Sequence, residues 1–309
     1  MQFFDQTAVA RALPYPALMD ALAAGLQQTI ASPARSVYTP NADASAVLIM
    51  PAWKAQEIMG VKLVSIWPGN SAMGKSAVSA VYVLISCEDG HPIAVLDGTE
   101  LTLRRTAAAA ALAARTLARK NSRTLAILGT GSLSAPLVAA HASVMDFKNI
   151  LVWGRELHKA QTVVDRLAQQ GIPAEARSDL QSTLAQADVV CAASTASTPF
   201  IRSEWVRPGT HLGLMGAFTP TMAEAEPALM PRAQVFADSR DAVLEKGGEV
   251  WQAIAQGLIS ARAIQAELAD ITAQPLHAWR QSEDAITVFK SVGFASLDLI
   301  AAERVWAAR

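Results

Sequence analysis

Lys62 interrupts an otherwise apolar run, Gly60-Val61-Lys62-Leu63-Val64, and its neighbours predict that it is buried. An isolated buried ammonium is costly, so a lysine in such a strand normally meets an anion. A protein carboxylate, a substrate carboxylate and a cofactor are all open as that anion. The same domain offers two further cations, Arg35, after Ser32-Pro33-Ala34, and Arg105, in Thr102-Leu103-Arg104-Arg105-Thr106, for each of which position alone favours a protein carboxylate as partner. A guanidinium offers a planar fork of donors that matches a carboxylate or phosphate. The chemistry open to this trio is the gripping of an anion. If neighbouring cations lower the Lys62 pKa, delivery of a proton is open as well.

A separate group of residues suits a pyrophosphate. Leu125-Ala126-Ile127-Leu128 runs into Gly129-Thr130-Gly131-Ser132-Leu133-Ser134, and a stretch rich in alanine and valine follows. In a strand-turn-helix of this kind Gly129 permits the tight turn and Gly131 lets the backbone approach the phosphates. The helix then offers free N–H groups and its positive end. The third fingerprint position is usually Gly or Ala; here it is Ser134, still small enough for close packing. An ordinary structural turn would also use glycines, but this one opens a region of alternating strands and helices, which favours a dinucleotide. The second strand, Leu151-Val152-Trp153, ends in Gly154-Arg155, where an NAD-preferring site carries a carboxylate. Gly154 leaves room and Arg155 can pair a 2′-phosphate, so NADPH is the expected cofactor, with NADH as the alternative. The competing reading makes Arg155 a solvated loop residue and sends Glu156 to the ribose.

These residues need elements to hold them. Leu18, Leu22 and Leu26 recur at helical spacing after Pro14 and Pro16. The period then changes: 46–50 and 60–67 read as strands, and 78–86 with 93–96 as a hairpin turning at 88–92. Strands without intervening helices predict an antiparallel or mixed sheet, hence an α+β domain over 1–120. Residues 101–119 read as a long alanine-rich helix that Asn121-Ser122 breaks. Beyond it, strands at 124–128, 149–153, 174–176, 189–193, 210–214 and 234–237 alternate with helices. That is the pattern of an α/β, doubly wound parallel sheet of Rossmann type, assigned to 121–293. A last helix, about 295–306, follows Ser291-Val292-Gly293 and is expected to complete the first domain as 294–309.

The 309 residues suit about two domains of roughly 100–200 residues. A chain 51% hydrophobic and 17% charged is not disordered. Its longest apolar run stops at Arg115, short of the about 20 residues that span a membrane. Asp5 and Arg11 interrupt the start, so no signal peptide is expected. Lys and Arg total 26 against 27 Asp and Glu, which argues against a nucleic-acid partner. Two cysteines, Cys87 and Cys191, build neither a disulfide framework nor a zinc site, so no metal and a reducing, cytoplasmic compartment are expected. His91 reads as a turn residue, and His141 and His158 as helical. Only His211, on the fifth strand of the second domain, is placed where a cofactor could be met, and a core role is favoured for it.

Further motifs complete a recognisable order: Pro33-Ala34-Arg35, Gly60-Val61-Lys62 before Pro68-Gly69-Asn70, Leu96-Asp97-Gly98 and Arg105-Thr106-Ala107-Ala108. Gly129-Thr130-Gly131, Val152-Trp153-Gly154-Arg155, Ala187-Asp188-Val189-Val190, Asp238-Ser239-Arg240 and Phe289-Lys290-Ser291-Val292-Gly293 follow. Over essentially its whole length the chain resembles the ornithine cyclodeaminase/μ-crystallin family. The resemblance implies a first domain that forms a homodimer and binds substrate, with Arg35, Lys62 and Arg105 gripping the substrate carboxylate. It also implies a nicotinamide site built from Arg105, Thr106, Gly129, Gly131, Ser132, Leu133, Gly154, Arg155, Ser194, Thr195, Met215, Gly216, Val292 and Gly293.

One departure separates the activities within that family. Its cyclodeaminases carry an aspartate in Gly-x-Asp-x-Pro-Gly-Lys after the fifth Rossmann strand. This chain has Gly216-Ala217-Phe218-Thr219-Pro220-Thr221-Met222, so Phe218 takes the aspartate position and Met222 that of the lysine. A phenylalanine cannot steer a free amino group or move its protons. It can pack on a flat ring, and the pattern looks like that of the family's cyclic ketimine reductases. Those reduce 1-pyrroline-2-carboxylate to proline and 1-piperideine-2-carboxylate to pipecolate. In that chemistry Lys62 either completes the carboxylate clamp or protonates the ring nitrogen, with the clamp favoured. Ornithine cyclodeamination, a family amino-acid dehydrogenase and a non-catalytic NADP(H)-dependent binding protein are the competing readings.

Overall fold

The computed structural model describes residues 1–42 and 45–309. The chain forms two compact units: Met1–Arg105 with Phe294–Arg309, and Thr106–Gly293. The sequence break at Asn121-Ser122 is therefore not the division. Contacts divide the alanine-rich helix, Gly98–Leu117, between Arg105 and Thr106. Its C-terminal end already serves the second unit, where the Leu117 carbonyl accepts from Arg280 Nη1 at 3.0 Å.

The first unit is built on a mixed six-stranded sheet in the order β1-β6-β5-β4-β3-β2. Its strands are β1 (Gln2–Phe4), β2 (Ser36–Tyr38), β3 (Ala46–Lys54), β4 (Ile58–Ile66), β5 (Val78–Ser86) and β6 (Pro92–Asp97). All pair antiparallel except β1 with β6. The alternation along β3 to β6 puts Leu48, Met50, Ala52, Val64, Tyr82, Leu84, Ala94 and Leu96 on one buried face. The helix Tyr15–Gly25 and the C-terminal helix Ala295–Ala307 belong to this unit, and the C-terminal helix packs on the former and on β3 and β4. The edge strands β1 and β2, three residues each, lie outside the expected elements. Runs so short, with mostly exposed side chains, carry no readable period.

The second unit holds an eight-stranded, wholly parallel sheet in the order β13-β12-β14-β11-β10-β7-β8-β9. Its strands are β7 (Thr124–Leu128), β8 (Asn149–Trp153), β9 (Glu175–Arg177), β10 (Val189–Ala192), β11 (His211–Leu214), β12 (Ala233–Ala237), β13 (Ile264–Glu267) and β14 (Ile286–Lys290). Strand order reverses between β7 and β10, and ligands of such sheets bind outside the carboxyl ends at that switch point. Asp188 fixes the reversal by accepting from the backbone N–H groups of Arg123 and Thr124 at 2.8 and 3.1 Å. The last two strands in the chain are additions to the expected series, and β14 inserts between β11 and β12. Among the described residues, no helix is long and apolar enough to cross a membrane.

Candidate active site

In the first unit, the register of the sheet sets Lys62 opposite Met50 on β3 and Tyr82 on β5, on the buried face. Lys62 is 1% exposed and Arg105 6%. The anion that Lys62 requires is Asp298, on the C-terminal helix and fully buried. Lys62 Nζ lies 2.7 Å from Asp298 Oδ2, and Arg105 Nε donates to Asp298 Oδ1 at 2.8 Å. Burial pushes the Lys62 ammonium down to about 8; Arg105 and Arg35 act in the same direction, and Asp298 pulls it back up. Burial alone would raise the Asp298 carboxyl, but Arg105 and Lys62 hold it below the usual carboxylate range. Arg35 precedes β2, is half-buried, and is close enough for its charge to act on Lys62. A protein carboxylate thus answers the question the sequence left open. Among the described groups that act on Lys62, Arg35 and Arg105 are cations and Asp298 is the carboxylate.

In the second unit, Gly129, Gly131, Gly154, Arg155, Ser194 and Thr195 line one cleft of about 480 Å³ at the carboxyl ends of β7, β8 and β10. Gly129 adopts φ +134°, and a Cβ there would meet the Ala193 carbonyl oxygen at 2.6 Å. A Cβ on Gly131 would meet nothing within 4 Å, which leaves the backbone open to a ligand. Ser134, the third fingerprint residue, is buried and donates to the Gly129 carbonyl at 2.8 Å. Ser132 and Leu133 lie just ahead of the helix Ser134–Ala142. These features fit a dinucleotide. Trp153 and Phe200 stack at 5.4 Å between ring centroids along the same cleft. Arg155 lines it, whereas Glu156 pairs with Lys159 at the start of the next helix.

The other expected cofactor residues lie outside that cleft. Met215 and Gly216 follow β11, Val292 and Gly293 follow β14, and Thr106 is on the alanine-rich helix. Two buried carboxylates fix those loops. Glu224 accepts from the N–H groups of Ser194 and Gly216 at 2.6 and 2.7 Å. One Asp238 oxygen accepts from Ser291 Oγ, Val292 N and Gly293 N at 2.7, 3.0 and 2.7 Å. Burial raises Glu224 to about 7, against the pull of Lys290 and with the help of Glu249, which itself pairs with Lys290 at 3.0 Å. Phe218, 37% exposed, is left outside the core of its unit. His211 begins β11, at the end away from the cleft, and its Nδ1 lies 2.9 Å from Thr287 Oγ1. Burial lowers His211 to about 3 and His141 to about 4, so both are neutral core residues.

Sequence reasoning missed Asp298, and gave Glu224 and Asp238 no role. Asp298 had a usable signal: it is a single acid within Ala295-Ser296-Leu297-Asp298-Leu299-Ile300-Ala301, the same anomaly that singled out Lys62.

A wholly parallel, doubly wound sheet with an open glycine turn and a cleft at its switch point defines a dinucleotide-binding protein of the Rossmann class. Within that class the chain belongs to the ornithine cyclodeaminase/mu-crystallin family, which residues 5–308 match. It is 40% identical over 257 residues to the Delta(1)-pyrroline-2-carboxylate reductase of Paracoccus denitrificans, spanning 82% of this chain and 80% of that protein. The solved structure of Thermococcus litoralis Delta(1)-pyrroline-2-carboxylate reductase in complex with NADH and L-proline matches with TM-score 0.94 and 26% identity, over 99% of this chain and 97% of that one. An archaeal alanine dehydrogenase dimer with bound NAD matches with TM-score 0.91 and 26% identity, over 99% and 95%.

Proposed function

We propose that this protein is a nicotinamide-dependent reductase of cyclic imino acids, converting 1-pyrroline-2-carboxylate to proline and 1-piperideine-2-carboxylate to pipecolate. The observation that carries the reading is the cluster of Lys62 and Arg105 on Asp298, in which burial pushes the lysine down to about 8. Similarity to two pyrroline-2-carboxylate reductases supports it.

Arg35 and Arg105 take the substrate carboxylate. Arg105 meets Asp298 through Nε, so its end-on Nη pair is the edge for a carboxylate oxygen pair. With the carboxylate anchored by two arginines, Lys62 is the proton donor to the ring nitrogen. A group with a pKa of about 8 is mostly protonated at neutral pH and still a competent acid. This shifts the balance from clamp to proton donor. Protonation of the nitrogen makes C2 electrophilic, and Lys62 then regains its proton from solvent. A bound nicotinamide cofactor supplies the hydride that adds to C2. Thr106, Ser132, Leu133, Met215, Gly216, Val292 and Gly293 complete the cofactor site with the residues of the cleft. Phe218 offers an apolar face to the ring where a cyclodeaminase has its aspartate. NADPH is preferred to NADH, because the cleft lining contains Arg155 and no carboxylate.

The first unit binds substrate and dimerises. The face of its sheet opposite the buried one carries Ile49, Val61, Leu63, Val81, Val83 and Val95, all half-buried or exposed. Strands apolar on both faces belong in sheets covered on both faces, and the archaeal relative is a dimer. The deciding assay mixes protein, NADPH and each imino acid and follows the reduced-nicotinamide absorbance, with NADH in parallel. Consumption of the cofactor is expected with both rings. Ammonia release from ornithine with NAD+, or oxidation of alanine without imine reduction, would overturn the reading.

A further inference from the structure

We infer that Asp298 is a positioning residue of the reaction site, one carboxylate that holds the Lys62 ammonium with one oxygen and the Arg105 guanidinium with the other. The inference rests on the reductase reading for its kinetic consequences, but its geometry is independent of it. Three elements meet at this side chain: β4 through Lys62, the alanine-rich helix through Arg105, and the C-terminal helix that carries Asp298. Each oxygen has a different cation, at 2.7 and 2.8 Å, so the carboxylate fixes the separation of the proton donor from the carboxylate-binding fork. A proton donor must reach its acceptor within hydrogen-bond distance, and a small displacement of either group is costly to rate.

The electrostatic role is as specific. The groups that act on Lys62 are Asp298 from the C-terminal helix, Arg105 from the alanine-rich helix and Arg35 from the segment before β2. Tyr82 is its cross-strand neighbour on β5, and Met50 that on β3. Tyr82 is itself pushed well above its ordinary pKa by burial, with Asp298 and Glu303 adding to the shift, and stays neutral. Asp298 is therefore the one anion among these groups that favours the charged form of Lys62. Without it, burial and two guanidinium groups would drive the proton off, and the site would lose its acid before substrate arrived. An ion pair of purely structural value would shift the lysine as well, but it would leave the pH limb of imine turnover in place, because its lysine gives no proton to substrate.

The test is Asp298→Asn, which keeps the side-chain volume and removes the charge. With NADPH saturating, the basic limb of the pH profile for imine turnover should move at least one pH unit towards acid, and turnover at pH 8 should fall about fivefold or more. Asp298→Glu should restore part of the limb. In parallel, the ε-13C lysine resonance that disappears in Lys62→Met is titrated in wild type, Asp298→Asn and Asp298→Glu. This readout needs no substrate. A Lys62 titration that moves acidward in Asp298→Asn supports the role even if no imine is reduced, in which case the reductase reading alone fails. An unmoved Lys62 titration, or an unmoved pH limb with wild-type turnover, would overturn it. Should Asp298→Asn not fold, the comparison of wild type with Asp298→Glu decides, and identical titrations there would overturn it too.

Discussion

Lys62 and Lys290 are twins by sequence and opposites by surroundings. Each is a fully buried lysine at an apolar strand position, and each meets a carboxylate from a helix at 2.7 and 3.0 Å, respectively. Among the described residues, the groups that act on Lys62 are two guanidinium groups, Arg35 and Arg105, and one carboxylate, Asp298. Around Lys290 carboxylates exceed cations, because Glu249 and Glu224 share it. There the backbone N–H groups of Ser194 and Gly216 satisfy the second acid. A buried cluster with surplus positive charge is a place for an external anion. One whose surplus negative charge is met by the protein's own backbone is a brace. The sign of the excess, more than burial or pKa, separates the two roles.

The sharpest test of that distinction is Lys62→Met. Imine turnover should fall by roughly 10²–10⁴-fold, the usual range for a lost acid catalyst, while stability changes less, because Asp298 keeps Arg105. Steady-state kinetics beside urea denaturation would read both. Near-normal turnover would return Lys62 to a structural role. Lys290→Met should show the reverse: about 3–5 kcal/mol of unfolding free energy lost, since two buried carboxylates would remain without their cation. Any folded fraction should keep imine turnover within a few-fold. A variant that unfolds little yet turns over slowly would break the comparison.

Arg155→Ala addresses the cofactor cleft. Loss of a hydrogen bond to a charged group costs about 1.5–3 kcal/mol, so NADPH affinity should drop by one to two decades and NADH affinity much less. Equal losses by fluorescence titration would make Arg155 structural. The last test concerns Glu224 and reads stability rather than affinity. Its folded pKa, about 7, lies above the ordinary 4.5, so the folded protein holds that proton longer than the unfolded chain. Stability should therefore fall as pH rises from about 4.5 to about 7 and level off above, by roughly 3 kcal/mol. Glu224→Gln should flatten that slope in denaturation curves taken across the window.

The elements with a clean period were legible in the sequence: the hairpin of β5 and β6, the alanine-rich helix, and the alternation from β7 to β11. The glycine turn was legible because Gly129 and Gly131 face distinct local demands, one tight and one open. What escaped was set by tertiary contacts. β13 has four residues, and β14 is a short buried run that period alone cannot tell from a helix segment. The division inside the alanine-rich helix leaves no mark in composition. Among the functional residues, Lys62 announced its need for an anion, but nothing local said that the anion lay on the last helix. Glu224 and Asp238 act on backbone groups, and a sequence does not display which N–H groups need an acceptor.

The insertion of β14 has a consequence for how this chain is made. It follows the other described strands in chain order, yet it stands between β11 and β12, so the parallel sheet has a gap until Ile286–Lys290 emerges. The first unit likewise waits for Ala295–Ala307, its final helix. Vectorial folding, in which an N-terminal domain is finished while the rest is translated, is closed to both units. Nascent chains carry open strand edges until Ile286–Lys290 emerges, and a truncation before Ile286 would leave both units unable to close.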